Sequence, residues 1–288
     1  MYIQLIFIMM TALKWSTTCS ALKHRLDRTV VLFLGMILCP VILCSCRPAD
    51  TDTKPEKNPA LVLYCGAGIR PMADALIDAF EQQSGIHVMA TYAGSGRLLG
   101  QVISSRQGDL FMPGAASYVD QAITLTAAVA STRTTVACFI PVLCVQKGNP
   151  VDIKTLADLT RPGLRVGLGD PRVCAVGRVS QKIFEKNNVP SDALASNTVF
   201  TSGTVTELGV ALAMNTIDAT VIWDATARQF PDGLDTISIP AEENCIATVP
   251  VIRLSFSKQP DAADAFIAFI TSAEGKTIIR QQGYSVPE

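Results

Sequence analysis

Two glycine-rich segments, YCGAGIRP at 64–71 and TYAGSGRLLG at 91–100, each lie between a predicted strand and a predicted helix. The first amide groups of a helix have no partner within it and carry partial positive charge, so such a turn can hold an anion without a cationic side chain. Small residues let the backbone approach a ligand closely. The alternative is that each is an ordinary turn between strand and helix. The candidate anion ligands in these turns are Gly68, Ile69, Ser95 and Gly96.

Two later segments have the same arrangement. GDPRVCAVG at 169–177 and SGTVTE at 202–207 each precede a predicted helix, and they place Val176 and Val205 in its first turn. Together with the two earlier turns they would bring four helix starts to one site. We therefore expect an anion to be held mainly by backbone N–H groups.

Arg70 and Arg97 follow the two earlier turns closely. A guanidinium group that pointed into the site would bind an oxyanion or a carboxylate in a bidentate manner. The alternative is that both arginines lie in solvent. The sequence leaves these two interpretations open.

Other kinds of chemistry lack the residues they need. The formal net charge is −1, which gives no case for nucleic-acid binding, and the chain has two histidines, His24 and His87. A histidine-rich metal site and a Ser–His–Asp triad are therefore not expected. GSGRLLG has the wrong last spacing for a dinucleotide loop, and no phosphate-binding GxxxxGK[ST] run is present. We expect no enzyme activity, no cofactor and no metal.

Strand and helix patterns alternate after residue 60. ALVLYCG, IHVMATY and DLFMPG have the composition of strands, and helical patterns follow each of them. In the first helix Met72, Leu76, Ile77 and Phe80 share one face, and Gly85 ends it. This order predicts an α/β fold in which each sheet is mainly parallel and is flanked by helices.

The run TVACFIPVLCVQKG at 135–148 is too long for an ordinary buried strand, and it predicts one strand that crosses between two lobes. Cys138 and Cys144 would then share a face of it. A second β-rich stretch near 246 would carry the chain back from lobe two to lobe one. We predict two lobes joined by two hinge crossings, with 60–135 and 246–288 in lobe one and 136–245 in lobe two. The cleft between lobes is the expected ligand site.

The first 46 residues differ from the rest. An apolar run at 29–43 follows a basic stretch and ends in LCSC, which predicts a signal peptide with a lipobox and a lipid on Cys46. The polar, proline-containing segment 47–59 reads as a tether. A transmembrane anchor built on the same run is the alternative. The lipid would place the protein outside the cytoplasm, anchored to a membrane.

The ordered set of segments resembles one known family over most of 60–285. These segments are VLYCGAGIRPMADALIDAFEQQSGIHV, TYAGSGRLLGQVISSRQGDLFMPG, GLRVGLGDPRVCAVGRVSQKIF and SAEGKTIIRQQGY. They are similar to bacterial periplasmic solute-binding proteins for molybdate and tungstate. The resemblance implies a two-lobed periplasmic binding protein fold that closes on a tetrahedral oxyanion and delivers it to an ABC permease. We expect the protein to act as a monomer.

The resemblance also assigns ligand positions. The family's two serine ligands fall on Gly68 and Ser95, its backbone donors in lobe two fall on Val176 and Val205, and its tyrosine hydroxyl falls on Trp223. Gly68 therefore lacks a hydroxyl, and the indole of Trp223 can donate a hydrogen bond but cannot accept one. The alternatives that remain are another anion (sulfate, phosphate or a small carboxylate), an enzyme on the same fold, and a signalling receptor.

Overall fold

A computed structural model describes residues 60–287, which form two five-stranded sheets flanked by helices. The predicted signal peptide, the lipid attachment at Cys46 and the tether of 47–59 lie outside the described residues. In the part of the chain that the structure describes, no helix has the length and apolar character that a membrane span requires.

The elements alternate along the chain, with strands and helices numbered in order. The strands are β1 (Leu61–Gly66), β2 (Val88–Ala93), β3 (Leu110–Met112), β4 (Thr134–Phe139), β5 (Pro141–Gln146), β6 (Val166–Gly169), β7 (Thr198–Ser202), β8 (Ala219–Trp223), β9 (Leu234–Ser238) and β10 (Ala247–Arg253). The α-helices are α1 (Arg70–Ser84), α2 (Ser95–Ser105), α3 (Ala116–Thr124), α4 (Ala175–Lys186), α5 (Ser191–Asn197), α6 (Val205–Ala213), α7 (Asp224–Ala227), α8 (Pro260–Thr271) and α9 (Ala273–Gln281). Short 3-10 turns lie at Ala67–Ile69, Ala130–Thr132 and Leu156–Thr160.

The two sheets have the same plan. The first has the order β2-β1-β3-β10-β4 and the second the order β7-β6-β8-β5-β9. In each order the first three strands are parallel, the fourth runs antiparallel to the third, and the fifth runs antiparallel to the fourth. The carboxyl ends of the parallel strands share one edge of each sheet, which is where ligands bind in open α/β folds.

In each sheet an aspartate lies directly before one strand, β3 or β8, and joins it to the neighbouring parallel strand, β1 or β6. The Asp109 carboxylate accepts a hydrogen bond from the Val62 N–H at 2.8 Å, and the Asp109 N–H donates to the Val62 carbonyl at 2.9 Å. Asp218 makes the same pair of bonds with Arg165, at 2.8 and 2.6 Å. Both aspartates are buried, so each depends on these partners. These bonds hold the amino ends of the two paired strands in register. Because each strand is a rigid extended segment, the register also sets where the turns at its carboxyl end lie.

Helix α1 buries the apolar face that its sequence pattern predicts. The prediction that Met72, Leu76, Ile77 and Phe80 share a buried face is confirmed, and the helix ends at Gly85. Gly85 has φ of 72°, in the left-handed region that glycine adopts without strain. The buried face anchors the helix, and with it the turn that precedes it.

The chain first passes between the sheets at one residue. Strand β4 ends at Phe139 and β5 begins at Pro141, so Ile140 alone separates them. The run 135–148 is therefore two strands in different sheets, and the prediction of one long strand was wrong. The sheets change at Ile140, whereas the predicted lobe boundary at 135 falls inside β4.

This break also separates two cysteines. Cys138 lies in the first sheet and Cys144 in the second, so they do not share a face of one strand. All five cysteines of the described residues are free thiols. The second passage between the sheets is longer, over 239–246, between β9 and β10.

Candidate functional site

Four turns that follow parallel strands meet between the two sheets. Two come after β1 and β2 of the first sheet, and two come after β6 and β7 of the second. They enclose a small cavity. Its lining residues are Gly66, Ala67, Gly68, Ile69, Ala93, Gly94, Ser95, Gly114, Phe139, Cys174, Ala175, Val176, Thr204, Val205 and Trp223.

The helical elements that start at these turns have few side-chain caps. Gly66, Gly94 and Cys174 are the residues before the 3-10 turn Ala67–Ile69, α2 and α4, and none of them caps with its side chain. Thr204 does cap α6, because its hydroxyl accepts a hydrogen bond from the Glu207 N–H. The first turn of a helix carries unpaired N–H groups and partial positive charge. The cavity therefore lies at the positive ends of several helical elements.

Ser95 adds a hydroxyl donor in the first turn of α2. It is 2% exposed, and its Oγ accepts a hydrogen bond from the Gly114 N–H at 3.0 Å. A serine hydroxyl both donates and accepts, so this bond leaves its hydrogen free to donate. Since Ser95 lines the cavity, that hydrogen is available to a ligand there.

A chain of aromatic rings joins the hinge to the first turn. Trp223 stacks in parallel on Phe139 with ring centroids 4.6 Å apart, and the Phe139 ring lies 5.8 Å from that of Tyr284. The Tyr284 hydroxyl donates to the Gly68 carbonyl at 2.8 Å. Phe139 is the last residue before the crossing at Ile140, so the hinge and the cavity wall share one packed unit.

Among the residues that the structure describes, no charged side chain lines the cavity. Cys174 is the lining thiol, and its burial raises its pKa to about 11, although the N–H groups of Val176 and Gly177 lower it in part. The thiol is therefore neutral at physiological pH, and no lining side chain repels an anion. The favourable potential comes from neutral dipoles, which act strongly where water is excluded.

The two lobes touch across the cleft, an arrangement called closed below, and two glycines make this contact possible. The Gly96 N–H donates to the Val173 carbonyl of the second lobe at 2.9 Å. A β-carbon on Gly96 would lie 2.4 Å from the Arg172 carbonyl oxygen, and one on Gly94 would lie 2.2 Å from the Gly203 oxygen. No side chain fits at these distances, so the two backbones meet only because both positions are glycine.

Two arginines of the second lobe also cross the cleft. Arg178 donates to the Ser117 hydroxyl at 3.1 Å and lies over the Tyr118 ring, 4.0 Å from its centroid. Arg228 donates to the Gly283 carbonyl at 2.7 Å. These contacts join α4 to α3 and α7 to the segment after α9, so the closed arrangement is held on two sides of the cavity.

Most of the residues singled out from the sequence come together at the cavity. Three do not, and the structure corrects their placement. The N–H of Gly96 is already bound to Val173. Arg97 is exposed, and Arg70 pairs with Asp74 at 3.3 Å, so neither guanidinium reaches the cavity. Those that line the cavity are Gly68, Ile69, Ser95, Val176, Val205 and Trp223.

Two lining residues were missed by the sequence reasoning. Gly114 follows β3, so a search of every turn after a parallel strand would have found it. Phe139 gave no such signal, since an aromatic residue near a strand end has no distinctive spacing. Its position follows from the break at Ile140, which the sequence pattern did not reveal.

Comparison with known proteins identifies the family. A family model described as bacterial extracellular solute-binding protein matches residues 61–285. A putative binding protein of Haemophilus influenzae is 29% identical over 227 residues, covering 78% of this chain and 90% of that protein. The molybdate-binding protein ModA of Mycobacterium tuberculosis is 24% identical over 264 residues, covering 89% of this chain and 97% of that protein.

Solved structures establish the fold. The periplasmic molybdate-binding protein of Azotobacter vinelandii superposes with a TM-score of 0.70 at 15% identity, covering 79% of this chain and all of that one. The sulfate-binding protein SubI of Mycobacterium tuberculosis gives a TM-score of 0.71 at 18% identity, covering 80% and 87%. Their names state different anions, so the shared fold does not select between ligands.

We expect that Gly96→Ala hinders closure, because its β-carbon would meet the Arg172 carbonyl at 2.4 Å. Small-angle X-ray scattering in the presence of molybdate should give a larger radius of gyration than for the wild type. Gly100→Ala is the matched control, since it lies one turn further along α2 with no atom within 4 Å of its β-carbon. If the Gly96 variant closes as the wild type does, the steric argument is wrong.

Proposed function

The chain belongs to the bacterial extracellular solute-binding proteins, and we propose that it captures a tetrahedral oxyanion, molybdate or tungstate, and delivers it to an ABC permease. The observation that carries the proposal is the small uncharged cavity at the starts of helices from both lobes. The oxyanion would bridge the lobes, so it would favour the closed state by its higher affinity for that state.

The size of the cavity supports a compact ligand. The centre of a water-sized sphere can occupy about 20 Å³ of it. A spherical space of that volume has a radius of about 1.7 Å, and adding the ~1.4 Å radius of water gives an envelope of about 3 Å. A central atom with four oxygens has this size. A nucleotide or a sugar phosphate is much larger.

The donors of the cavity support a fully ionised ligand. Backbone N–H groups, the Ser95 hydroxyl and the Trp223 indole can all donate, and none of the described residues that line the cavity is a carboxylate. Molybdate, tungstate and sulfate carry no proton near neutral pH, whereas phosphate keeps at least one. A protonated oxygen needs an acceptor, and a buried one without it is penalised. Sulfate is therefore the closest rival, and cavity size must separate it from molybdate.

The same residues do not support catalysis. His87 is exposed beside Glu81 on the surface of the first lobe. The cavity lining holds no base beside Ser95 or Cys174, the two side chains with nucleophilic atoms. In the described residues no group of three potential metal ligands is placed to hold an ion. We therefore propose a binding protein without enzyme activity.

A panel of anions tests the proposal. At about 100 times its dissociation constant, a ligand that binds only the native state stabilises it by about 2.7 kcal/mol. For a protein of this size that raises the melting temperature by about 5–10 °C. We expect this shift with molybdate or tungstate, a smaller one with sulfate and none with phosphate or acetate. A shift with acetate alone would contradict the proposal.

Ser95→Ala should weaken oxyanion binding, because it removes a buried hydroxyl donor. A hydrogen bond to a charged group contributes about 1.5–3 kcal/mol, which corresponds to roughly a 10- to 100-fold loss of affinity. Isothermal titration calorimetry measures the dissociation constant of molybdate for each variant. Ser104→Ala is the control, since Ser104 lies exposed on the same helix. If Ser95→Ala and Ser104→Ala bind molybdate with equal affinity, Ser95 is not a ligand residue.

We also propose that a lipid on Cys46 anchors the protein outside the cytoplasm. The family supports the extracytoplasmic location, and the lipobox sequence supports the lipid. Mass spectrometry of the membrane fraction should find diacylglycerol on Cys46 as the first residue. Cys46→Ser should abolish the attachment, whereas Cys44→Ser should retain it. Recovery of an intact 1–46 segment from the membrane would refute the anchor.

A further inference from the structure

A second pocket lies between the two lobes, beside the second passage of the chain between the sheets. Its walls are the start of α3, one face of α4 and the segment 245–248, where that passage enters β10. On the measure that gives 20 Å³ for the anion cavity, this pocket has a volume of about 190 Å³, and the two share no lining residue. It is called the α3–α4 pocket below.

Two cationic side chains of α4 line the α3–α4 pocket, and none of its described lining residues is acidic. Arg178 and Lys182 are about one helical turn apart, so they share a face of α4. The single carboxylate of α3 pairs with Arg133 at 2.6 Å, and the single carboxylate of α4 accepts a hydrogen bond from Gln181 at 2.9 Å. The pocket therefore gathers positive charge that the described residues do not neutralise.

Arg178 is held in place, but part of its guanidinium group is free to bind. Its Nη1 donates to the Ser117 hydroxyl at 3.1 Å, its Nε donates to the Pro171 carbonyl at 3.3 Å, and the group lies 4.0 Å from the centroid of the Tyr118 ring. Its Nη2 has no acceptor among the described residues, and Lys182 makes no hydrogen bond or ion pair with them. One oriented donor and one unpaired ammonium group thus face the same space.

We propose that the α3–α4 pocket is a second anion site, and that it takes a small organic anion with two or more carboxylates. Like charges one turn apart on a helix repel each other, and an anion between them removes that repulsion. A guanidinium group pairs with a carboxylate through its planar N–H donors, and a lysine binds one as a point charge. Arg178 and Lys182 can therefore each hold one carboxylate of the same molecule.

The size of the pocket supports a ligand larger than a tetrahedral oxyanion. A spherical space of 190 Å³ has a radius of about 3.6 Å, and adding the ~1.4 Å radius of water gives an envelope of about 5 Å. The same arithmetic gives about 3 Å for the anion cavity. A tetrahedral oxyanion would contact only part of the larger space, whereas a dicarboxylate or tricarboxylate can reach both cations.

An anion in this pocket would touch both lobes. Arg178 and Lys182 belong to the second lobe, whereas Ser117 and Thr248 belong to the first. Opening the lobes would separate these walls, so the ligand would favour the closed state by its higher affinity for that state. A ligand in either site then raises the affinity of the other by the same factor. This coupling rests on the proposed function, whereas the site itself does not.

Citrate is the probe for the site. Calorimetry on the full chain, saturated with molybdate and at low salt, should show binding of citrate and none of acetate at equal ionic strength. Lys182→Gln should weaken citrate binding about five-fold, because it removes one of the two cations. Lys258→Gln is the matched control, since it removes the same charge from an exposed lysine that lines neither cavity. Equal citrate affinities of the two variants, or no citrate binding by the wild type, would overturn the proposal.

A thiol in the pocket wall locates the bound citrate. Cys245 lines the α3–α4 pocket and is half-buried, and Cys138 is half-buried outside it. With molybdate present, citrate at about nine times its dissociation constant should slow the modification of Cys245 by N-ethylmaleimide about ten-fold. The modification of Cys138 should not change, and mass spectrometry of the two peptides measures both rates. If citrate slows neither thiol, or slows both alike, it does not bind in this pocket.

The coupling has its own measurement. Citrate that fills the pocket should tighten molybdate binding of the wild type about five-fold, and that of Lys182→Gln by less at the same citrate concentration. If citrate binds in the pocket and leaves molybdate affinity unchanged, the coupling is wrong and the site stands. If the wild type binds none of molybdate, tungstate and sulfate, the proposed function is wrong, and the citrate titration and the thiol protection, repeated without an oxyanion, still decide whether the pocket is an anion site.

Discussion

The first N–H groups of a helix have no partner within it, and this structure gathers four helical starts, two from each lobe, around one cavity. A buried N–H that finds no acceptor destabilises a protein by about 1–3 kcal/mol. Three of the four helical elements there start without a side-chain cap. Opening the lobes would return these groups to water. Closing them without a ligand would not pair them. The chain passes between the two sheets twice, at Ile140 and over 239–246, and these crossings are where such a motion would bend the chain.

Closure also requires that two backbones touch. Gly94 and Gly96 have no room for a β-carbon because carbonyl oxygens of the second lobe lie 2.2 and 2.4 Å from its position. The bond from Gly96 to the Val173 carbonyl shows that part of this segment binds the other lobe rather than a ligand. The donors of one short turn therefore point to two places: the Gly96 N–H to the opposite lobe and the Ser95 hydroxyl to the cavity.

The sequence predicted the two sheets and the turns that meet between them, because strand and helix periodicity and uncapped glycine turns are local signals. Local patterns did not separate β4 from β5, since the residues on both sides of Ile140 are equally apolar. Local sequence patterns also did not reveal that Gly94 and Gly96 contact the opposite lobe. A glycine beside a ligand and a glycine beside another backbone look the same in sequence, and only the position of the opposite lobe distinguishes them. The partner of Arg70, by contrast, is local, because Asp74 lies one turn further along the same helix.

The described residues that line the cavity are neutral, and their dipoles act differently on an anion than a cationic side chain would. An arginine in one lobe would attract an anion whether the lobes were open or closed, so it would slow release as much as it favoured capture. Neutral donors act over short distances, and their contributions combine only when the lobes close and exclude water. Affinity then depends on closure. A permease that pulled the lobes apart would lower the affinity at once, because the cavity residues of the second lobe would all move away from those of the first.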